Sequence, residues 1–572
     1  MKKIHSVVYL GGMMLLSIST FSQSGSPISL QRRLDKHDQK SSLFTQKPSP
    51  TIPTKPNASL TAGITDGADV HIFPSSNVQA EVTVEINKSN PQNLLASANT
   101  LLGPFAYNQG FYSSSDGGLT WAGADALQGI SASTIDGDPS VSFGADGTAY
   151  MTTISGGSFG TNGYWFQKSV NGGLNWTAGV KGVSNANLDK QMNTSDNIAT
   201  SPFANNFYNT WTDFNSGNGA VDFNRSTDKG TTFSTKIVLR SGAVGFGQGT
   251  NVQTGPNGEV YVCWADHTAV VSPYKATGMG FASSLNGGVS FTPASVIFPY
   301  SGTRVDNTSS TYNFTRVNDF PSMAVDKSAK SHKGRIYIAY PEANAVDQHS
   351  EIKVRFSDNK GVTWSAGTVV NIPNARQSFF PWITVDDKYG IVWVVYYAFD
   401  QATGYATNTY VAASLNGTTW FNQKASDVSH ITAPIDNTNF AAGYAGDYIG
   451  IAAYNGVAHP TWMDNRNGTW QVYTSTESAH TAPFNLLQED APVAQSSVLK
   501  VQPNPVNNVM HLSLSGTNMQ SVKLFYPNGI LAKQWNTGDL TTLSVAGLKS
   551  GVYTVSVTDN KGKIYSQGII VQ

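Results

Sequence analysis

Cysteine and charge are what this 572-residue chain is short of. A single cysteine, Cys263, excludes an internal disulfide and any zinc site built from cysteines. It falls in an expected inner strand, where a lone thiol acts as buried filler. Charged residues make up 13% of the chain and the formal net charge is −1. That balance gives no support for a nucleic-acid partner or an electrostatic membrane clamp. Past the N-terminal residues no apolar run reaches the about 18 positions of a membrane span, so no transmembrane segment is expected. No phosphate-binding loop and no Asp-rich calcium loop occurs, and His459 has no second histidine at metal spacing.

What is abundant points elsewhere. The chain has 54 glycines and 11% aromatics, a turn-rich composition expected of extracellular all-β proteins. Within it one phrase returns: Ser114-Ser-Asp116-Gly-Gly118-Leu-Thr-Trp121, Ser169-Val-Asn171-Gly-Gly173-Leu-Asn-Trp176 and Ser226-Thr-Asp228-Lys-Gly230-Thr-Thr-Phe233. Ser284-Leu-Asn286-Gly-Gly288-Val-Ser-Phe291 and Ser357-Asp-Asn359-Lys-Gly361-Val-Thr-Trp364 follow, then a shortened Ser414-Leu-Asn416-Gly417-Thr-Thr-Trp420. A fixed phrase at such a period signals a repeat architecture. Ser and Asp/Asn side chains bond backbone N–H groups in a tight turn, Gly accepts positive φ, and the aromatic packs back on the next strand. Each copy therefore reads as the turn of a β-hairpin.

The phrase resembles the Asp-box, or BNR, repeat of the sialidase superfamily of β-propellers, over about residues 79–477. Extended runs before each box let the blades be counted, from Glu81-Val-Thr-Val84 to Asp447-Tyr-Ile-Gly-Ile451 with His459-Pro-Thr-Trp462. The count is seven units of four strands, the last without a box, and radial closure leaves no long sheet edge. The expected fold is therefore all-β: a sialidase-like β-propeller of about seven four-stranded blades, plus a small C-terminal immunoglobulin-like β-sandwich.

The ends read differently. Lys2 and Lys3, the apolar Val7 to Ile18 and Thr20-Phe21-Ser22 form the pattern of a signal peptide over residues 1–22. Residues 23–78 are polar and rich in Ser, Thr, Pro and Lys, the composition of a disordered leader, and 478–497 reads as a linker. Residues 498–572 hold short alternating strands, including Val522-Lys-Leu-Phe-Tyr526 and Lys563-Ile-Tyr-Ser-Gln-Gly-Ile-Ile-Val571, which argue for the sandwich. Their Pro503-Asn504-Pro505 opening, Ser550-Gly-Val-Tyr553 phrase and terminal strand resemble the type A C-terminal sorting domain of the Bacteroidetes type IX secretion system. That resemblance implies the secretion machinery as partner, and an extracellular or outer-membrane-surface location.

In a propeller, first-strand starts and second-strand ends converge at one mouth of the central channel, opposite the box turns. Here they are acidic: Glu81, Asp138, Asp189, Asp319 and Asp447 at the starts, Asp213, Asp266, Glu342 and Asp464 at the ends. Crowded carboxylates raise one another's pKa, as a general acid requires, and an acid with a base is the minimum equipment for most glycoside hydrolysis. For any one of them, capping a turn or bonding a neighbouring blade is the competing role. Arg316, Arg376 and Arg466 lie near expected rim positions and offer planar forks for a carboxylate ligand, with surface salt bridging as the competing role.

Asp319, Asp447 and Asp464 are the candidate catalytic carboxylates, with Arg316, Arg376, Arg466, Asp138 and Asp189 as candidate substrate-binding residues. No cofactor is implied. A structural calcium ion is compatible with the rim carboxylates, since hard cations prefer oxygen ligands. Sialidases carry one arginine of their substrate-binding triad in an Arg-Ile-Pro phrase. Here Gln79-Ala-Glu81-Val-Thr-Val84 has no arginine and no Arg-Ile-Pro occurs. The expectation is a secreted or cell-surface propeller acting on extracellular glycans or glycoproteins as an exo-glycosidase. The alternative is a non-catalytic module binding glycan or protein.

Overall fold

The computed structural model describes residues 63–103, 106–130, 135–157, 160–184, 187–373, 375–435, 442–479, 484, 499–514, 518–526, 531–560, 562 and 564–572. The expected signal peptide, the leader through residue 62 and most of the linker lie outside the described residues. The chain divides into two compact units, 1–486 and 487–572.

The first unit is built of seven antiparallel blades. Their inner strands are Val78–Ile86, Ile135–Phe143, Leu188–Ser195, Phe246–Thr254, Ser322–Val325, Gln377–Val385 and Gly450–Tyr454. Each is followed outward by its sequence neighbours. Trp211, Trp264, Trp393 and Trp462 are fully buried on second strands, so aromatic side chains fill the space where adjacent sheets pack. Cys263 is buried among them, as expected. Among the described residues the only helix is a single turn, Ser310–Tyr312.

The recurring phrase forms the hairpin turns for the physical reasons given above. The serine Oγ of each copy accepts the N–H of its glycine: Gly118 to Ser114 at 2.9 Å, Gly230 to Ser226 at 2.8 Å, Gly361 to Ser357 at 2.9 Å. Asp116, Asp228 and Asn359 each accept the N–H four residues on at 2.9 Å. The glycines Gly118, Gly230 and Gly361 sit at φ 88, 79 and 88. Trp121 and Trp364 fold back and donate to the carbonyls of Gly118 and Gly361. Basic side chains then tie one blade to the next turn: Lys168 to the Lys229 carbonyl, Arg225 to Gly287 and Arg335 to Asn416.

The seventh blade corrects the expected leader boundary. Its outermost strand is Val70–His71, from the N-terminal side of the propeller, paired with Tyr473 and Thr474. Thr65–Asp66 pairs with Glu477–Ser478 beside it. Residues 63–78 therefore belong to the propeller, which closes by joining its two ends. Two-residue strands in a polar stretch carry no alternation, so composition alone reads them as leader.

The second unit is a sandwich of two sheets. One holds Leu499–Gln502, Val509–Leu514 and Thr542–Ser544; the other holds Leu531–Trp535, Met519–Phe525, Gly551–Asp559 and Ile564–Val571. Alternating residues such as Met510, Leu512, Val522, Leu524, Val555 and Val557 meet in its core.

Candidate functional site

A β-bulge recurs at one station of the inner strands. Register breaks at Ala80/Thr83, Gly137/Ser140, Asp189/Met192, Gln248/Asn251 and Phe379/Trp382. Within them Glu81, Asp138, Lys190, Gly249 and Phe380 adopt φ between 49 and 64. In the other two blades pairing starts at Ser322 and Gly450, so Phe320 and Tyr448, two residues earlier, hold the same station. A bulge re-aims a side chain, and left-handed backbone at non-glycine residues persists only where its surroundings enforce it. Here the seven residues meet at the mouth of the central channel, at the opposite ends of the strands from the box turns. The box turns instead adjoin the turns between first and second strands, as where Gly117 donates to the Gln92 carbonyl.

One half of this ring is charged. Lys190 Nζ lies 2.7 Å from Glu81 Oε1, 3.2 Å from Asp138 Oδ1 and 2.7 Å from Asp447 Oδ2. Arg316 Nη2 reaches the same Asp447 oxygen at 3.0 Å. Asn99 Nδ2 donates to Glu81 Oε2 at 2.8 Å and contacts the Tyr444 hydroxyl at 3.0 Å. The Tyr448 ring lies under the ammonium, and its hydroxyl donates to the Pro139 carbonyl. Glu81, Asp138, Lys190 and Asp447 are 1%, 7%, 5% and 6% exposed, so the cluster is closed to bulk water.

Electrostatics divide the carboxyls. Burial, reinforced by Asp138 and Asp447 against the pull of Lys190, pushes Glu81 well above the carboxylate range. Asp447 is also buried, yet the charges of Arg316 and Lys190 hold it far below that range. Burial opposes the charge on Lys190, but its three carboxyl neighbours hold it well above the usual lysine value. Within the cluster, burial and charge thus favour a proton on Glu81 over one on Asp447.

The other half is apolar. A Cβ on Gly249 would overlap the Phe320 ring. Trp382 and Tyr448 pack with ring centroids 5.8 Å apart. Between the halves, Lys190, Asn318, Thr250, Phe320, Trp382 and Tyr448 help to line a cavity of about 10 Å³. That is room for about one water molecule.

The residues singled out from the sequence are only partly brought together. Asp138, Asp447 and Arg316 join the central cluster. Asp189 and Asp319 each stand one residue before the bulge station, as Asp447 does, but their carboxylates are taken up by other partners. Asp189 accepts from Gln248 Nε2 at 3.0 Å. Asp319 is fully buried and accepts the Ala276 N–H at 2.8 Å, with His267 Nε2 at 3.6 Å. Asp464, also fully buried, accepts from Trp462 Nε1 at 3.0 Å and from Arg466 Nη2 at 2.6 Å. Arg466 is thereby committed to the seventh blade, stacked on Tyr473. Arg376 covers Phe399 and donates to the Gly404 carbonyl.

The remaining second-strand acids bind cations in the blade bodies: Asp213 with Lys236, Asp266 with Arg240 and Glu342 with Lys353. Three expected catalytic carboxylates therefore sit in three separate networks, and the three arginines form no common fork. Among the described residues no group of three or more His, Cys, Asp or Glu is arranged to hold a metal ion.

Sequence reasoning missed Lys190, the hub, along with Glu81 as the proton-bearing carboxyl and its partners Asn99 and Tyr444. A signal existed. Asp138, Phe320 and Phe380 each precede a proline, and matching Asp189-Lys190 to Asp319-Phe320 puts Lys190, not Asp189, at the shared station.

The comparisons with known proteins bear on the two units unequally. Residues 500–572 match the family model described as the secretion system C-terminal sorting domain. That unit is a sorting domain. It sends the chain through type IX secretion to the cell surface or the outside, and no helix among the described residues is long and apolar enough to cross a membrane. No curated protein matches the chain. Among solved structures, a Dyadobacter fermentans protein of unknown function is 12% identical, with 73% of this chain and 99% of that chain covered at a TM-score of 0.42. An α-L-arabinofuranosidase from Fusarium graminearum is 9% identical, covering 72% and 98% at 0.39. A Hadza microbial sialidase is 12% identical, covering 75% and 98% at 0.38.

Proposed function

We propose that the propeller is an extracellular glycan-binding module that uses the rim of the central mouth, and that its buried charges hold the ring together. The observation that carries this reading is the internal commitment of the carboxylates. Asp447 is neutralised by Lys190 and Arg316, Asp464 by Arg466, and Asp319 is tied to backbone. A hydrolase needs an acid and a base that both face the substrate, and a sugar-sized pocket is of the order of 300 Å³ or more. The cavity between the two halves of the ring is far smaller. Half-buried Phe320 and Trp382 beside Asn318 and Thr250 offer what a sugar ring packs on: flat apolar faces with hydrogen-bonding groups alongside.

A second reading, exo-glycoside hydrolysis, is favoured by one feature. Burial raises the pKa of Glu81 while Arg316 and Lys190 lower that of Asp447, the division between two carboxyls that acid catalysis uses. The full chain separates the two on a glycan panel scored for both binding and turnover. Binding without turnover that weakens at least tenfold in Phe320→Ala, and persists in Asp447→Asn, supports the module. Turnover that Glu81→Gln and Asp447→Asn abolish, in variants that remain folded, overturns it.

A further inference from the structure

We propose that the N-terminal segment closing the propeller, Thr65–His71, is a proton-controlled strap that grips the seventh blade at acid pH and loosens as the pH rises. This rests on neither reading of the central mouth. Its backbone attachment is short: Val70 and His71 on Thr474 and Tyr473, Thr65 and Asp66 on Ser478 and Glu477, and Gly67 N–H on the Thr476 carbonyl at 2.9 Å. With so few ladder bonds, and with the buried Ile64 and Ile72 anchoring its two ends, side-chain charge adjusts how firmly the strap between them is held.

That charge is of one sign. Asp66 stands directly across from Glu477 in the strand pair, where like charges repel. Glu477 is fully buried, and Ser475 donates to its Oε1 at 2.7 Å. Asp69 and Asp427 clasp each other reciprocally, each side chain accepting the other's backbone N–H, at 3.1 and 2.9 Å. Arg466 reaches Asp69 but also serves Asp464 at 2.6 Å. The neighbouring elements add little to offset this. Lys424 ends the strand Phe421–Lys424 beside Thr65–Asp66. His71 contacts Gln471 and stacks on Tyr473. Burial drives the His430 imidazole down to about 4, which keeps it neutral.

Burial first, then Asp66, lifts Glu477 well above its ordinary value, and burial lifts Asp69 to about 6 despite Arg466. A carboxyl whose pKa is higher docked than free binds more protons when docked. Docking is therefore firmest below the free values near 4 and is lost progressively as pH climbs through 6 and beyond. Release bares the Gln471–Thr474 edge of the seventh blade, an unpaired strand open to another chain.

Hydrogen exchange of the intact chain at pH 5.5 and 8.5, corrected for intrinsic exchange rates, tests the strap. Protection over residues 64–72 is expected to fall at least tenfold between the two pH values, since one unit of pKa shift is a factor of ten. Protection over Val260–His267, in the fourth blade, should not change. Glu477→Gln should remove most of the fall, and Asp66→Asn serves in its place if protection over Val260–His267 shows that Glu477→Gln has misfolded. Equal protection of the strap at both pH values, or an undiminished fall in the folded variant, overturns the proposal.

Discussion

The two halves of the central ring use one backbone device for opposite ends. Glu81, Asp138 and Lys190 in the first three blades, and Gly249 and Phe380 in the fourth and sixth, share a left-handed bulge at the same station. On the first side the bulges aim charges at one another across the channel, and Lys190 gathers carboxyls from three other blades. On the other side the same geometry aims nothing, or a ring, and Phe320 packs over Gly249. The fold supplies positions around an axis, and the side chain at each position decides whether two blades are joined by charge or by contact. A repeat protein can thus keep its scaffold while the chemistry at its mouth varies.

The charged half is expected to be the more brittle. Lys190→Met removes the buried cation beside Asp138 and leaves Asp447 with Arg316 alone. Removing one partner of a buried ion pair costs about 3–5 kcal/mol. Urea unfolding followed by tryptophan fluorescence should show that loss, since Trp535 is the one tryptophan outside the propeller. Asp447→Asn, which strips a counter-charge from both Lys190 and Arg316, should fall in the same range. A loss below about 1 kcal/mol in both would mean that the cluster holds nothing together.

In the apolar half the sensitive residue is the one with no side chain. Gly249→Ala places a Cβ at φ 64 against the Phe320 ring. Left-handed strain and overpacking together should cost about 1–3 kcal/mol. Adding Phe320→Ala removes the overlap and leaves the backbone strain, so the double variant should recover part of the loss relative to Phe320→Ala alone. Full additivity of the two substitutions would show that the ring does not press on this position.

The same contrast explains what was legible beforehand. The Ser/Asp turns could be read from residues 114–121 alone, because Ser114, Asp116 and Gly118 satisfy one another within five residues. Blade number followed from the extended runs that accompany the phrase, which continue into a seventh unit that has no box. The bulge station was not legible in the same way, because its register depends on pairing with the second strand. Asp189 and Asp319 look equivalent to Asp138 until Met192 is seen opposite Thr210 and Ser322 opposite Ala339. The strap was less visible still. Val70–His71 is a strand only because Tyr473 and Thr474, some 400 residues later, present an edge to it. Lys190 was hidden for a related reason: a buried lysine makes sense only once three distant carboxyls stand around it.

The smallest effect on stability, and the most specific, should come from Glu81. Its folded pKa is raised, so the stability it contributes is complete below about 4.5 and is lost as pH rises through the folded value. Asp447 behaves in reverse. Its folded pKa is depressed, so its contribution is present above about 4 and is lost only in strong acid. Glu81→Gln replaces a proton-bearing carboxyl with a neutral side chain of the same shape, and Asn99 Nδ2 keeps an oxygen acceptor. At neutral pH the substitution should change stability by less than about 1 kcal/mol, within the range of volume-conserving swaps. Its signature is in the pH profile: the alkaline decline of the native protein should flatten in Glu81→Gln while the acid limb, governed by Asp447, stays where it was. A high-pH decline of unchanged slope would show that Glu81 does not carry the proton whose loss destabilises the protein, and would remove the acid from the hydrolytic reading.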